Sequence, residues 1–90
     1  MNNETVAMKW VQGESATSKN LRTDGQLLES YNLVIGEKDT WGNPIIWNFT
    51  KQGGHFVSQT TSRHVGWALT AASRLHTNLI IRKPGVFQHD

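Results

Sequence analysis

An amphipathic stretch over residues 61–78 is the clearest pattern in the sequence, with apolar side chains recurring every three or four positions. This spacing predicts one main α-helix, because positions three and four apart lie on the same helical face. Ser62, or Thr61 just before it, is the predicted N-cap, and Asn78 is placed to end the helix. The stripe predicted to face the core comprises Val65, Ala68, Leu69, Ala72 and Leu75, continued by Leu79.

Shorter alternating segments between turn-forming residues predict β-strands. The strongest covers residues 26–37, and residues 45–50 and 55–59 follow after further turns. Weak alternation over residues 5–11 indicates an N-terminal strand, and residues 79–81 form a last short apolar run. Short turns between consecutive strands favour antiparallel pairing. The sequence therefore predicts an α+β fold, in which one main α-helix packs on one face of an antiparallel β-meander of three to five strands.

Ninety residues favour a single domain, because a second hydrophobic core would not fit. The predicted organisation is a strand and loop segment in residues 1–24, the β-meander in 26–59, the helix in 61–78, and a short strand and tail in 79–90. The chain has no Cys and shows neither a signal-peptide pattern nor an apolar run that would span a bilayer. We therefore expect a cytoplasmic protein that does not interact with membranes.

The net charge of +2 conceals an asymmetry along the chain. Residues 1–45 hold four basic and six acidic side chains, whereas residues 46–90 hold five basic side chains, all four histidines and a single acid, Asp90. Unless folding interleaves the two halves, the second half would attract phosphates or an acidic protein surface.

The predicted helix carries a candidate contact surface opposite its apolar stripe. Arg63, Trp67, Thr70 and Arg74 fall within a sector of about 60° by helical arithmetic. Arg binds carboxylate or phosphate through two hydrogen bonds, and Trp fills a partner's pocket or stacks on a base. This face is the predicted partner-binding site, for a protein first and for nucleic acid as the alternative. In a further alternative, Trp67 packs against the N-terminal segment or a second copy of the chain.

Trp41 is a second candidate for partner binding, because it lies beside Gly42-Asn43-Pro44 in a predicted hairpin loop. It either anchors a partner at the loop tip or folds back over the sheet, and folding back is the preferred interpretation. A homodimer through an edge strand or through Trp67 is also considered.

Histidines and hydroxyls raise the questions of metal binding and catalysis. His64 and His76 are twelve residues apart, which is about 18 Å along a helix, so they cannot share one ion. No metal and no cofactor is predicted, and His64 is interpreted as a polar or half-buried side chain. The available nucleophiles, bases and acids stand in no known catalytic motif, so an enzyme is only the second alternative. These residues are Ser58, Ser62, His55, His64, Tyr31, Glu29 and Asp39.

Two segments resemble small uncharacterised proteins encoded by tailed bacteriophages. Ser30-Tyr31-Asn32-Leu33-Val34-Ile35 has the form Ser-Tyr-x-x-x-Ile before a hairpin, and Ser58-Gln59-Thr60-Thr61-Ser62-Arg63-His64 has the form Ser-x-Thr-Thr-Ser-x-His leading into a helix. The resemblance covers roughly residues 27–76. It implies a phage origin and no known activity, and such proteins often act as accessory or host-takeover factors. We therefore expect a non-enzymatic phage accessory protein that binds a host protein in the host cytoplasm.

Overall fold

The computed structural model describes residues 2–50, 56–75 and 78–83. These residues form an α+β fold, as the sequence predicts, with two helices and six strands. In chain order the elements are α1 (Asn3–Val11), β1 (Ser15–Thr17), β2 (Leu21–Asp24), β3 (Leu28–Ser30), β4 (Leu33–Lys38), β5 (Pro44–Trp47), α2 (Gln59–Leu75) and β6 (Ile80–Arg82).

All six strands belong to one sheet, in the order β1-β2-β3-β4-β5-β6. The first five strands pair antiparallel as a meander, but β6 pairs parallel with β5. A parallel pair needs a long crossover connection, and α2 lies within it. The predicted antiparallel meander with one main helix therefore fits this architecture in outline and differs from it in detail. The sheet is mixed and six-stranded, and a second helix accompanies α2.

The second helix, α1, replaces the strand that was predicted over residues 5–11. Asn2 caps it, because the side-chain Oδ1 of Asn2 accepts a hydrogen bond from the backbone N–H of Thr5 at 2.8 Å. The buried side chains follow a helical period rather than an alternating one, since neighbouring residues are buried in pairs one turn apart. They are Val6, Ala7, Trp10 and Val11.

The predicted strand over residues 26–37 is a hairpin of two strands, β3 and β4. Tyr31 lies in the turn between them with a positive φ of 57°, and its side chain is half exposed. The register of the pair shifts between Leu28 and Glu29, which marks a β-bulge. Gly36 lies against the indole of Trp10, since a Cβ at this position would come within 2.8 Å of the Trp10 Cζ2 atom.

The segment before α2 also differs from the prediction. Residues 56–58 are not a strand, and the remainder of the predicted strand at residue 55 lies outside the described residues. Ser58, rather than Ser62 or Thr61, caps α2, because its Oγ accepts a hydrogen bond from the Thr61 N–H at 3.1 Å. The strand predicted over residues 45–50 ends earlier, at Trp47.

The described part of α2 ends at Leu75, before the predicted end at Asn78, and residues 76 and 77 lie outside the described residues. The short strand predicted over residues 79–81 is present as β6, shifted by one residue. Its parallel partner places the segment after α2 at the edge of the sheet.

The stripe that α2 buries is rotated by roughly 30° from the predicted one, by helical arithmetic. Val65, Ala68 and Ala72 are buried as predicted, but Leu69 and Leu79 are only half-buried and Leu75 is 41% exposed. The rotation follows from the packing of α2 against α1 and from the hydrogen bonds that Thr61 and His64 form with Ser30 in the sheet. The described buried positions of α2 are Thr61, His64, Val65, Ala68, Ala71 and Ala72.

Candidate functional site

Four side chains on the solvent side of α2 form what we call the α2 outer face, namely Arg63, Trp67, Thr70 and Arg74. All four are exposed, and Trp67 is 38% exposed. Trp67 lies about 100° around the helix from the centre of the buried stripe, so it stands at the flank of the stripe rather than opposite it. Part of the indole therefore rests on the protein, and the remainder faces solvent.

The α2 outer face is positively charged. The helix contains no Asp or Glu, and Arg63 and Arg74 are eleven residues apart, which is about 16 Å along the axis. Arg74 has one acidic neighbour, because its Nη1 lies 3.9 Å from Oε2 of Glu4 in α1. Both of these side chains are largely exposed, so solvent screens the pair. Within the described residues, no carboxylate lies within ion-pair distance of Arg63.

Trp41 projects from the loop between β4 and β5 and is 83% exposed, so it does not fold back over the sheet. The carboxylate of Asp39 organises this loop. Its Oδ1 accepts hydrogen bonds from the N–H of Trp41 at 2.9 Å and of Asn43 at 2.8 Å. These bonds, that from Asn43 first, hold the pKa of Asp39 below its ordinary value. The exposed indole is thus carried on a hydrogen-bonded loop.

The structure does not join Trp41 to the start of the α2 outer face. β4 runs from the turn at Tyr31 to the Trp41 loop, and its six residues span about 20 Å. α2 begins at the Tyr31 end, where Thr61 Oγ1 lies 3.0 Å from Ser30 Oγ. Arg63 and Trp41 therefore belong to different parts of the surface.

A buried polar contact, which we call the Ser30 cluster, links β3 to α2. It consists of Ser30, Thr61 and His64, which are at most 1% exposed. Ser30 Oγ lies 2.7 Å from His64 Nδ1 and 3.0 Å from Thr61 Oγ1. The Nε2 atom of His64 is buried and has no hydrogen-bond partner in the described part of the chain. Burial lowers the pKa of His64, because the charged imidazolium loses its hydration.

The expectation that His64 is polar or half-buried is therefore wrong, since the side chain is wholly buried. The signal was present in the sequence. If polar residues are counted together with apolar ones, a single stripe at helical spacing contains Thr61, His64, Val65 and Ala68. The partner, Ser30, alternates with Leu28 on the buried side of β3, but nothing in the sequence joins it to His64.

The Ser30 cluster lies beside an open cleft of about 520 Å³ between the Tyr31-Asn32 turn and residues 57–61. Ser30 and Thr61 are among the lining residues of the cleft, and the ring centroids of Tyr31 and His64 are 6.3 Å apart. A serine side chain that is hydrogen-bonded to a histidine side chain is a feature of nucleophilic catalysis. However, Ser30 is 0% exposed, so its hydroxyl is not accessible for attack.

The other candidate catalytic residues have separate structural roles. Ser58 caps α2, and Asp39 holds the Trp41 loop. Glu29 forms an ion pair with Arg22 at 2.7 Å on β2. His55 and His76 lie outside the described residues. Among the described candidates, Ser58 and Tyr31 line the cleft beside the Ser30 cluster, whereas Glu29 and Asp39 are engaged in these other contacts.

In the part of the chain that the structure describes, no group of three or more His, Cys, Asp or Glu side chains is placed to hold a metal ion. Neither described helix combines the length and the apolar character that crossing a bilayer requires.

Comparison with known proteins provides no relative from which a role could be transferred. No protein-family model matches the chain, and searches of curated proteins and of solved structures likewise return no match. A functional assignment therefore depends on the geometry and charge described above.

Proposed function

We propose that this protein is a non-enzymatic binding protein whose α2 outer face binds an acidic surface of another protein. One observation carries the proposal. The partly exposed indole of Trp67 stands between two exposed arginines on a helix that has no acidic residue. The site would therefore combine an aromatic anchor with flanking cations.

The chemistry of these side chains supports a protein partner. Trp and Arg are enriched among the residues that dominate binding energy in protein interfaces. Arg63 and Arg74 would each bind a carboxylate through two hydrogen bonds, while Trp67 fills an apolar pocket between them. The arginines lie about 16 Å apart, so the complementary surface needs two acidic groups at a similar separation.

Nucleic acid is less well supported as the partner. A protein that binds the nucleic-acid backbone typically neutralises many phosphates with basic side chains, and its affinity falls steeply as the salt concentration rises. The described α2 carries two cations, and Arg74 already has Glu4 at 3.9 Å. Nucleic acid therefore remains the alternative outcome of the binding experiment.

The partner that we propose is a host protein, which the chain would bind as an inhibitor or adaptor in the host cytoplasm. This part of the proposal comes from the resemblance of residues 27–76 to small tailed-phage proteins. A homodimer through the α2 outer face would compete with such a partner for the same surface.

The first experiment identifies the partner and reverses one charge. The tagged chain captures proteins from a nuclease-treated bacterial lysate, and the captured protein is then purified. Calorimetry measures its Kd for the wild type and for Arg63→Glu. We expect Arg63→Glu to weaken binding at least about tenfold, because a repulsive contact replaces an attractive one.

Lys19→Glu is the matched control, because it makes the same charge change at an exposed position between β1 and β2. We expect its Kd to stay within about twofold of wild type. Equal weakening by both variants would show that net charge, and not the α2 outer face, controls binding. Capture that occurs from an untreated lysate but not from the nuclease-treated one would favour the nucleic-acid alternative.

A further inference from the structure

We infer that His64 is a pH-sensitive latch, which holds the start of α2 on β3 when the imidazole is neutral and releases it when the imidazole is protonated. The consequence for binding rests on the proposed function, since α2 carries the outer face. The latch itself is a property of the free protein.

The geometry places His64 at the joint between the helix and the sheet. Its Nδ1 lies 2.7 Å from Ser30 Oγ, and Ser30 Oγ also contacts Thr61 Oγ1. These are hydrogen bonds between side chains of β3 and the first two turns of α2. Loss of this contact would remove a polar connection between the two elements at the beginning of the helix.

Protonation of His64 would create a buried positive charge that no described neighbour compensates. His64 is 0% exposed, and its Nε2 has no hydrogen-bond partner among the residues that the structure describes. In the imidazolium, the hydrogen on Nε2 would therefore be buried without a described acceptor, which is strongly unfavourable in a protein interior. The Oγ atom of Ser30 can still accept a hydrogen bond from the Nδ1–H of the imidazolium, but a hydroxyl group does not neutralise the positive charge.

The acidic groups on neighbouring elements are engaged elsewhere. Within the described residues, no carboxylate lies within ion-pair distance of His64. Glu29, adjacent to Ser30 on β3, pairs with Arg22. On α1, Glu4 lies near Arg74, and Lys9 pairs with Glu14 at 2.8 Å.

Tyr31 is the remaining titratable neighbour in the turn after β3, with its ring 6.3 Å from that of His64. On α2 itself, the charged residues are Arg63 and Arg74, which are cations on the exposed side. None of these groups supplies the negative charge that would hold a buried imidazolium in place.

The direction of the pH effect follows from linkage. Because burial lowers the pKa of His64, the unfolded or opened chain binds a proton more readily than the folded chain. The stabilisation is fully present above the ordinary histidine pKa of about 6.5 and is lost as the pH falls below it. One such proton changes the unfolding equilibrium constant by at most about tenfold per pH unit.

The experiment measures urea unfolding of the free protein between pH 7.5 and pH 5. We expect the unfolding equilibrium constant to rise severalfold as the pH falls below about 6.5, and we expect His64→Gln to flatten this dependence. In the same pH range, hydrogen exchange corrected for intrinsic rates should show earlier opening at residues 61–65 than in β3. A pH dependence that is unchanged in His64→Gln would overturn the latch.

A triple variant, His55→Gln with His76→Gln and His89→Gln, is the control, because it leaves His64 as the only histidine. It should keep the pH dependence of the wild type. If His64→Gln does not fold, the ring signals of His64 in this triple variant decide the question by NMR. Titration of His64 in the folded state at or above the ordinary histidine range would overturn the proposal. These experiments use the free protein without a partner. A result that overturns the latch would therefore not contradict the proposed binding face.

Discussion

Trp10→Ala should lower the free energy of unfolding by about 3–5 kcal/mol, the typical cost of truncating a buried Trp. Trp10 is 0% exposed, and its Nε1–H donates to the carbonyl oxygen of Gln26 at 3.0 Å. Its ring lies directly against Gly36, where even a Cβ would approach Cζ2 to 2.8 Å. Removing the indole would leave a large cavity and an unpaired carbonyl. Denaturant unfolding followed by circular dichroism measures the loss.

Trp41→Ala is the matched control for this variant, because it removes the same indole from a site that is 83% exposed. We expect it to change the free energy of unfolding by less than about 0.5 kcal/mol. The difference between the two variants then measures the contribution of burying the Trp10 indole between α1 and the sheet. Similar stabilities for the two variants would contradict the packing of α1 on the sheet.

Trp67→Ala should weaken partner binding by about 2 kcal/mol or more, which corresponds to roughly 30-fold in Kd. A Trp between charged residues at the centre of a contact surface typically dominates its binding energy. The fold should remain cooperative, because 38% of the residue is exposed and the ring lies at the flank of the buried stripe. Calorimetry with the captured protein and a thermal melt measure the two effects separately.

Ser73→Ala provides the control on the same helix. Ser73 is exposed and lies about 120° around α2 from Trp67, on the other side of the arginines. Its substitution should leave both Kd and stability nearly unchanged. If Trp67→Ala abolished cooperative unfolding, the ring would be a structural residue, and the α2 outer face would lose its anchor.

Helix α2 could be predicted from the sequence because seventeen residues provide several turns of consistent periodicity. The orientation that the sequence predicts differs by about 30°, because the predicted stripe omits Thr61, a candidate N-cap, and His64, interpreted as polar or half-buried. Polar side chains enter a core when they bond to one another, and Ser30 supplies that bond across 34 positions of sequence. A pattern of hydrophobicity contains no information about such a partner.

Helix α1 was misassigned because a nine-residue segment fits two periods. Val6, Met8 and Trp10 alternate as in a strand, while Ala7 and Val11 complete a helical face. Asn2 was the discriminating signal, as a cap three residues before Thr5. Tertiary packing determines whether a short segment of this kind forms a helix or a strand.

The hairpin of β3 and β4 was missed because its turn has no typical turn residue at the critical position. Tyr31 adopts a positive φ of 57°, a conformation that Gly or Asn usually supplies. The parallel pairing of β6 with β5 could not be predicted from the sequence either, because a three-residue strand has no pattern that indicates its direction. Helical geometry does predict the exposure of Arg63, Trp67, Thr70 and Arg74, although it wrongly places Leu75 in the buried stripe.

The most direct test of the α2 outer face follows the indole N–H signals of the four tryptophans in ¹H–¹⁵N NMR spectra while the captured protein is added. We expect the Trp67 signal to shift or broaden, together with the side-chain signals of Arg63 and Arg74, while the buried Trp10 signal is least affected. Perturbation of Trp41 with no change at Trp67 would contradict the account, because the partner would then bind the loop between β4 and β5.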